Sequence, residues 1–393
     1  MAIWTDVRLQ TLSNGAMMNG LKTCVVLSLA VPAMACGGEE SSKFIVVTNS
    51  LDTERHELVA IPYGEFTSAF RTDSVFRVVN AESGMEIPYQ LETKGASSPQ
   101  NILLYVLVPA SGHVTLAVEK SAPTPVAAKT FARYVPERYD DFAWENDVVA
   151  FRMYGKALEG RPDDAQGLDL WSKRTTDLIV DKWYAQGDYH TDHGEGMDYY
   201  SVGMTLGAGD IAPMEGDEVV YSKHYRAYEI LDNGPLRTAF QLDYEPWQVG
   251  AKTVSVSKRY TLDAGSQLNR VEVTYTIDGD GAIPGAIGIS RRAEGGRLLN
   301  EPNGDVFGYW EPADDVHGTT GVGVILVDGQ LEQFTEKPAQ YLAGLTAHDG
   351  KPIVFYNGGA WDRAGKIASA DNWFNYLQAI KDKEASPLQV EIK

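Results

Sequence analysis

Thiol chemistry is nearly missing from this chain of 393 residues, which carries only Cys24 and Cys36. Both fall in MMNGLKTCVVLSLAVPAMACGGEE, so everything after residue 36 lacks a cysteine nucleophile, a thiolate metal ligand and a disulfide of its own. Stability there rests on the core. Positive charge is also scarce: 34 Lys and Arg face 54 Asp and Glu, for a net charge of −20. Such a chain repels a phosphate backbone, and no nucleic-acid partner is expected. The apolar run around Cys24 is too short for a transmembrane helix. Helical periodicity is rare as well. It is clear only from Asp371 to Lys383, where Trp373, Leu377 and Ile380 recur at spacings of four and three behind a cap at Asp371.

What the N-terminal segment does contain is an export pattern. Lys22 precedes the apolar run, Ala33-Met34-Ala35 fits a signal-peptidase site, and Cys36 with Gly37-Gly38-Glu39-Glu40 fits a lipoprotein box, though the usual leucine three positions before the cysteine is missing. Residues 1–16 read as an overextended start and 17–36 as a signal. The expectation is an exported protein, periplasmic or held at the cell surface, with Cys36 as the lipidation site anchoring it to outer-membrane or cell-surface lipid.

Strand signals fill the rest. FIVVTNSLD, RHELVAIPY, SVFRVVNAES and ILLYVLVPASGHVTLAVEK predict a small N-terminal β unit over 43–120, and SAPTPVAAK (121–129) reads as a linker. From 130 to 393 the alternation continues. Val271, Val273, Tyr275 and Ile277 share one face of a strand, and Glu272, Thr274 and Thr276 the other. The fold class is therefore all-β and antiparallel, a small N-terminal β-sandwich unit plus a larger domain, with few helices.

The pair NGPLRTAFQLDY and KRYTLDAGSQLNRVEVTYTID resembles the paired strands of the galactose-mutarotase-like β-supersandwich. The order of FIVVTNSLDTERHELVAIP, FRMYGKAL, GLDLWSKR, DYHTDHGEGMDYYSVGMTLGAG and WDRAGKIASADNWFNYL, spanning nearly all of 43–393, resembles a bacterial family of formerly unknown function that includes an ulvan oligosaccharide dehydratase. That resemblance implies a hydro-lyase acting on an acidic oligosaccharide, removing the C5 proton of a terminal uronic acid and expelling its 4-hydroxyl. Such a reaction needs a cation on the carboxylate, a base for the proton and an acid for the leaving hydroxyl.

Residues 187–213, GDYHTDHGEGMDYYSVGMTLGAGDIAP, hold two histidines, three tyrosines and six glycines. So many glycines predict a loop. His190 and His193 are its candidate bases, Tyr189 and Tyr200 its candidate acids, and Asp192 an orienting carboxylate. For the carboxylate clamp the candidates are Arg174, Arg291 and Lys173, arginine being favoured by its bidentate fork. Trp183 and Tyr184 form the candidate sugar platform. No cofactor is expected. A metal held by the two histidines with Asp192, Glu195 or Asp198 stays open, although H-x-x-H in a loop is a weak signal. Three other readings remain beside dehydration: an oligosaccharide lyase, a glycoside hydrolase with no carboxylate pair singled out by spacing, and a non-catalytic sugar-binding lipoprotein.

Overall fold

A computed structural model describes residues 43–72, 75–279, 281–293, 295–300, 304–327 and 331–393. Cys36 and the export pattern lie outside the described residues. Lys43–Lys393 form one compact unit built of antiparallel sheets, with three α-helices among the described residues.

The first two sheets face each other across a core of their own. One is five-stranded, ordered Gln389–Ile392, Ile45–Thr48, His113–Glu119, Arg77–Asn80, Glu86–Ile87; the other runs Arg55–Pro62, Asn101–Val108, Tyr89–Glu92. Alternate side chains such as Ile45, Val47, Val59, Ile61, Leu104 and Val106 point inward and are buried together. Helix α1 (Tyr63–Phe70) buries Phe66 there. The closing strand of the first sheet comes from the far end of the chain: Ile45 pairs with Ile392 and Thr48 with Gln389.

After residues 121–129, which form no regular element, three more antiparallel sheets enclose a larger core. An eight-stranded sheet runs from Ala227–Asn233 to Arg297–Asn300; a five-stranded sheet centres on Ala282–Ser290; a third, also five-stranded, joins Gly196–Met197, Leu168–Lys173, Ala150–Met153, Asp141–Asn146 and Thr130–Val135. The expected alternation is present in Leu268–Ile277, where Val271, Val273, Tyr275 and Ile277 are buried while Glu272, Thr274 and Thr276 are not.

Helix α3 covers Ala370–Ala385 and begins two residues earlier than a cap at Asp371 implies. Its cap is Ser369, whose hydroxyl accepts from the Asn372 amide, and Asp371 instead sits in the first turn. Trp373 and Leu377 are buried against the eight-stranded sheet, Ile380 partly so. Helix α2 (Val180–Gln186) was not signalled by periodicity. At seven residues it is too short to show a stripe, and it owes its place to Glu145, whose carboxylate accepts the Ile179 and Val180 amides.

Candidate functional site

The third sheet carries charge where its sequence is otherwise apolar. Arg152 sits in the buried strand Ala150–Met153, flanked by Ala143 on one neighbour and Asp169 on the other. A lone guanidinium inside such a strand must find anions. Its Nη2 lies 2.5 Å from Asp169 Oδ2 and 3.0 Å from Asp198 Oδ2, and Nη1 lies 3.8 Å from Asp141 Oδ2. All four side chains are buried.

Three carboxylates around one cation cannot all ionise cheaply. Burial above all, with the neighbouring Asp169 charge second, pushes the Asp198 carboxyl up to about 8 against the pull of Arg152. Burial raises Asp141 to about 6, with Arg152 and Arg138 opposing. Both shifts favour the protonated acid. Several polar atoms of this nest have no hydrogen-bond partner among the described residues: Arg152 Nε and Nη1, Arg138 Nη1, Asp141 Oδ2 and the Tyr184 hydroxyl. Each such group costs roughly 1–3 kcal/mol when left unmet, and two of them, Arg152 Nη1 and Asp141 Oδ2, face each other at 3.8 Å.

Aromatic rings roof this nest. Trp171 stacks on Trp183 at 5.6 Å and on Tyr189 at 5.3 Å, and Tyr184 meets Tyr189 edge-on at 5.5 Å. Arg138 Nε donates to the Tyr189 hydroxyl at 2.8 Å. The His190 ring tilts against Tyr189 at 4.6 Å, and its Nδ1 lies 2.8 Å from the Asp198 carbonyl oxygen and 3.6 Å from Asp198 Oδ2. An Nδ1–H donating to that carbonyl leaves Nε2 as the free acceptor. The His190 side chain is 59% exposed, so the acceptor is open to an arriving molecule.

The backbone explains how this loop reaches the nest. The Asp198 amide donates to the Tyr189 carbonyl, folding the loop back on itself. At Gly196 φ is 121°, and a Cβ there would stand 2.0 Å from the Ser172 carbonyl oxygen. Gly155 is equally forced, since a Cβ would lie 1.9 Å from the Asp140 carbonyl oxygen. Tyr139 and Asp140, at φ 54° and 63°, occupy the left-handed region where non-glycine residues are strained. Arg138 and Tyr139 are half-buried at this turn, while Asp141 is fully buried. Arg138 and Arg161 both lie over the Tyr139 ring, at 4.5 and 4.2 Å.

Beyond Asp198 the strip continues into a second group. Tyr199 stacks on His317 at 5.3 Å and shares a short hydrogen bond with the Thr320 hydroxyl. Arg292 Nε meets Glu311 at 2.6 Å, its guanidinium covering the Tyr200 ring at 4.8 Å. Burial raises the Glu311 carboxyl to about 7 despite Arg292.

The residues singled out from sequence divide accordingly. Tyr189 and His190 stand at the nest, together with Tyr184 and Trp183, whose rings serve as packing: Trp183 is buried and Tyr184 belongs to the same cluster, so neither forms an open sugar platform. His193 faces away, its Nε2 3.1 Å from the Asp188 carbonyl oxygen. Asp192 braces the loop, accepting the Gly194 and Gly196 amides and pairing with Arg174. That pairing, with a carbonyl bond to Gly194 and a place over Trp361, occupies Arg174. Tyr200 is buried and donates to the Gly207 carbonyl oxygen. Lys173 is fully buried on Glu145 at 2.8 Å and on the Asn146 carbonyl, so it cannot reach a substrate. Arg291 lies over Tyr341 and bonds the Lys337 carbonyl, in contact with no member of the nest. The two histidines turn to different carbonyls, and among the described residues no three His, Cys, Asp or Glu side chains converge as a metal would require. The expected loop also ends early, because Ala208–Glu215 is a strand, bulged between Ala208 and Asp210.

Missed from sequence were Arg138, Asp141, Arg152 and Asp169. The available signal was a charge in the middle of an apolar strand, in AFRM and LDLW.

Comparison with known proteins places the whole described body in one family. The chain is 32% identical over 280 residues to uncharacterized protein P7 of Formosa agariphila, covering 67% of this chain and 70% of that one. Among solved structures it is similar to a glycosyl hydrolase family 38 protein of Enterococcus faecalis (TM-score 0.48, 8% identity) and to an α-mannosidase of the same organism (0.44, 8%). Each superposition covers 90% of this chain, which spans about half the length of those proteins. Residues 47–390 match the model of the domain of unknown function DUF4861, and the chain belongs to that family.

Proposed function

We propose that the protein is a carbohydrate-active hydro-lyase that removes water from the non-reducing uronic acid of an acidic oligosaccharide, with ulvan fragments the substrate class that the sequence resemblance implies. The observation that carries this reading is the meeting of three chemistries on one aromatic patch. His190 presents a free Nε2, and beside it the buried Tyr189 hydroxyl is held 2.8 Å from Arg138 Nε, with Arg138 Nη1, also buried, left without a hydrogen-bond partner among the described residues, so that an entering sugar must uncover both.

Arg138 binds the uronate carboxylate and draws off charge as C5 becomes carbanion-like. His190 Nε2 takes the C5 proton; the electron pair forms the C4–C5 double bond; the C4–O bond breaks and Tyr189 protonates the departing hydroxyl, so that water leaves. The tyrosinate formed lies beside the Arg138 cation, and proton return from the His190 imidazolium resets the site. Arg138 supplies positive charge at this spot in a chain of net charge −20, which an anionic substrate requires, whereas Arg161 is already paired with Asp163. The export pattern and Cys36 fit a lipid-anchored protein meeting such fragments outside the cytoplasm.

The test is incubation with uronate-terminated oligosaccharides, reading the ultraviolet absorbance of the new conjugated double bond and the mass of the product. Loss of one water with the chain length unchanged is expected. His190→Ala should lower kcat/KM by roughly 10²–10⁴ without changing the melting temperature, because the ring is exposed. A shortened chain would make the protein a lyase instead, and sugar binding without turnover would make it a binding protein.

A further inference from the structure

A hollow of about 300 Å³ opens where the strand Arg55–Pro62, the strands Lys252–Asp263, Leu268–Ile277 and Ile353–Trp361, and the end of α3 come together. It shares no residue with the nest around Arg152. Four Arg or Lys side chains and one histidine line it, against three carboxylates. In a chain of net charge −20 that local balance is inverted.

Two of the cations are committed to the wall. Buried Arg55 gives Nε and Nη2 to Glu57 and Nη1 to the Ser386 carbonyl. Arg237 forks onto Asp263 at 2.6 and 2.8 Å and reaches Glu92 at 2.8 Å. These pairs fix the shape of the hollow. The remaining groups are held more loosely. Arg270 is exposed, has no hydrogen bond among the described residues and stands 3.9 Å from Glu272. Lys383 stands 3.5 Å from Glu57. His56 stacks on Tyr105 at 4.0 Å, and neither of its ring nitrogens has a hydrogen-bond partner among the described residues. Tyr356 adds an aromatic wall whose hydroxyl is tied to Glu384.

We propose that this hollow is a second binding site, taking one anionic sugar residue with its carboxylate or sulfate oxygens toward Arg270 and Lys383 and a hydroxyl toward His56. The volume lies at the lower end of small-ligand sites. Charged walls fixed by short ion pairs, beside donors held only by long ones, can take an oxyanion with little reorganisation. That the anion is a sugar rests on the proposed function; that it is an anion rests on the hollow alone. Such a site would hold a second unit of a polymeric substrate, or a second chain, away from the reacting end.

With seven histidines in the chain, imidazole ¹H–¹⁵N spectra report the two sites separately, the His56 signal being assigned from His56→Gln. Titration with glucuronate, glucose 6-sulfate and glucose should shift the His56 signal saturably with one or both anions, which identifies carboxylate or sulfate, and not with glucose. Arg270→Gln and Lys383→Gln should each weaken that binding by about tenfold or more. A His56 signal unmoved by either anion, moved equally by glucose, or unaffected by both substitutions overturns the proposal. Failure of the dehydration assay would leave these shifts in place, so the two readings fall separately.

Discussion

Replacing Asp198 by asparagine should stabilise the protein at neutral and alkaline pH. The carboxyl is raised to about 8 by burial and by Asp169, against an ordinary value of 3.8 in the unfolded chain. Its folded value is therefore above its unfolded one. The stability it contributes is fully present below pH 3.8 and declines as pH rises toward 8, because the unfolded chain has released a proton that the folded protein must take up. At pH 7 the proton uptake costs the folded protein on the order of a few kcal/mol. Asparagine has the shape of the protonated acid and still offers an oxygen to Arg152 Nη2, now 3.0 Å from Asp198 Oδ2, without having to gain a proton. Asp141 and Glu311, raised in the same direction, tilt wild type and variant alike and so largely cancel in the difference. Urea unfolding of both proteins from pH 4 to pH 9 is the assay. The variant's advantage should be near zero at the acid end, grow through pH 7 and level off above pH 8. A variant less stable by a constant amount across neutral pH would mean that Asp198 is ionised on Arg152, and the account of the nest would be wrong.

Two further substitutions probe neighbouring features. Arg138→Gln removes the unmet Nη1 and the bond to Tyr189 together, and on the proposed reaction it should lower kcat/KM by about 10² or more, with a rise in KM for anionic but not neutral sugars; steady-state kinetics reads this. Lys173→Met leaves Glu145 buried with only the Ile179 and Val180 amides for company, so thermal or urea unfolding should report a loss of about 3 kcal/mol or more.

Sequence reasoning reached the fold further than the site, for a physical reason. The Val271 to Ile277 stripe and the Trp373, Leu377, Ile380 stripe are local periodicities, and burial follows them directly. The nest depends instead on sheet register: Arg152 meets Asp169 because Ala150–Met153 pairs with Leu168–Lys173, and meets Asp198 only after the loop folds back. His190 and Tyr189 were legible because their density within one loop does not depend on pairing. Lys173 and Asp192 looked available because their partners, Glu145 and the loop's own amides, are declared by three-dimensional closure alone. A charged residue in a run as apolar as AFRM could still have been read as demanding anions, even with their identities unknown.

The pairing of Ile45–Thr48 with Gln389–Ile392 also sets an order of assembly. During synthesis the first strand emerges hundreds of residues before its partner, and one of its edges stays open until Gln389–Ile392 arrives. Contacts of such long sequence separation form late, and an unpaired edge is a template for wrong partners. The N-terminal sheet is thus the first part of the body to be made and among the last to be sealed, which makes residues 389–392 a checkpoint on the integrity of everything between.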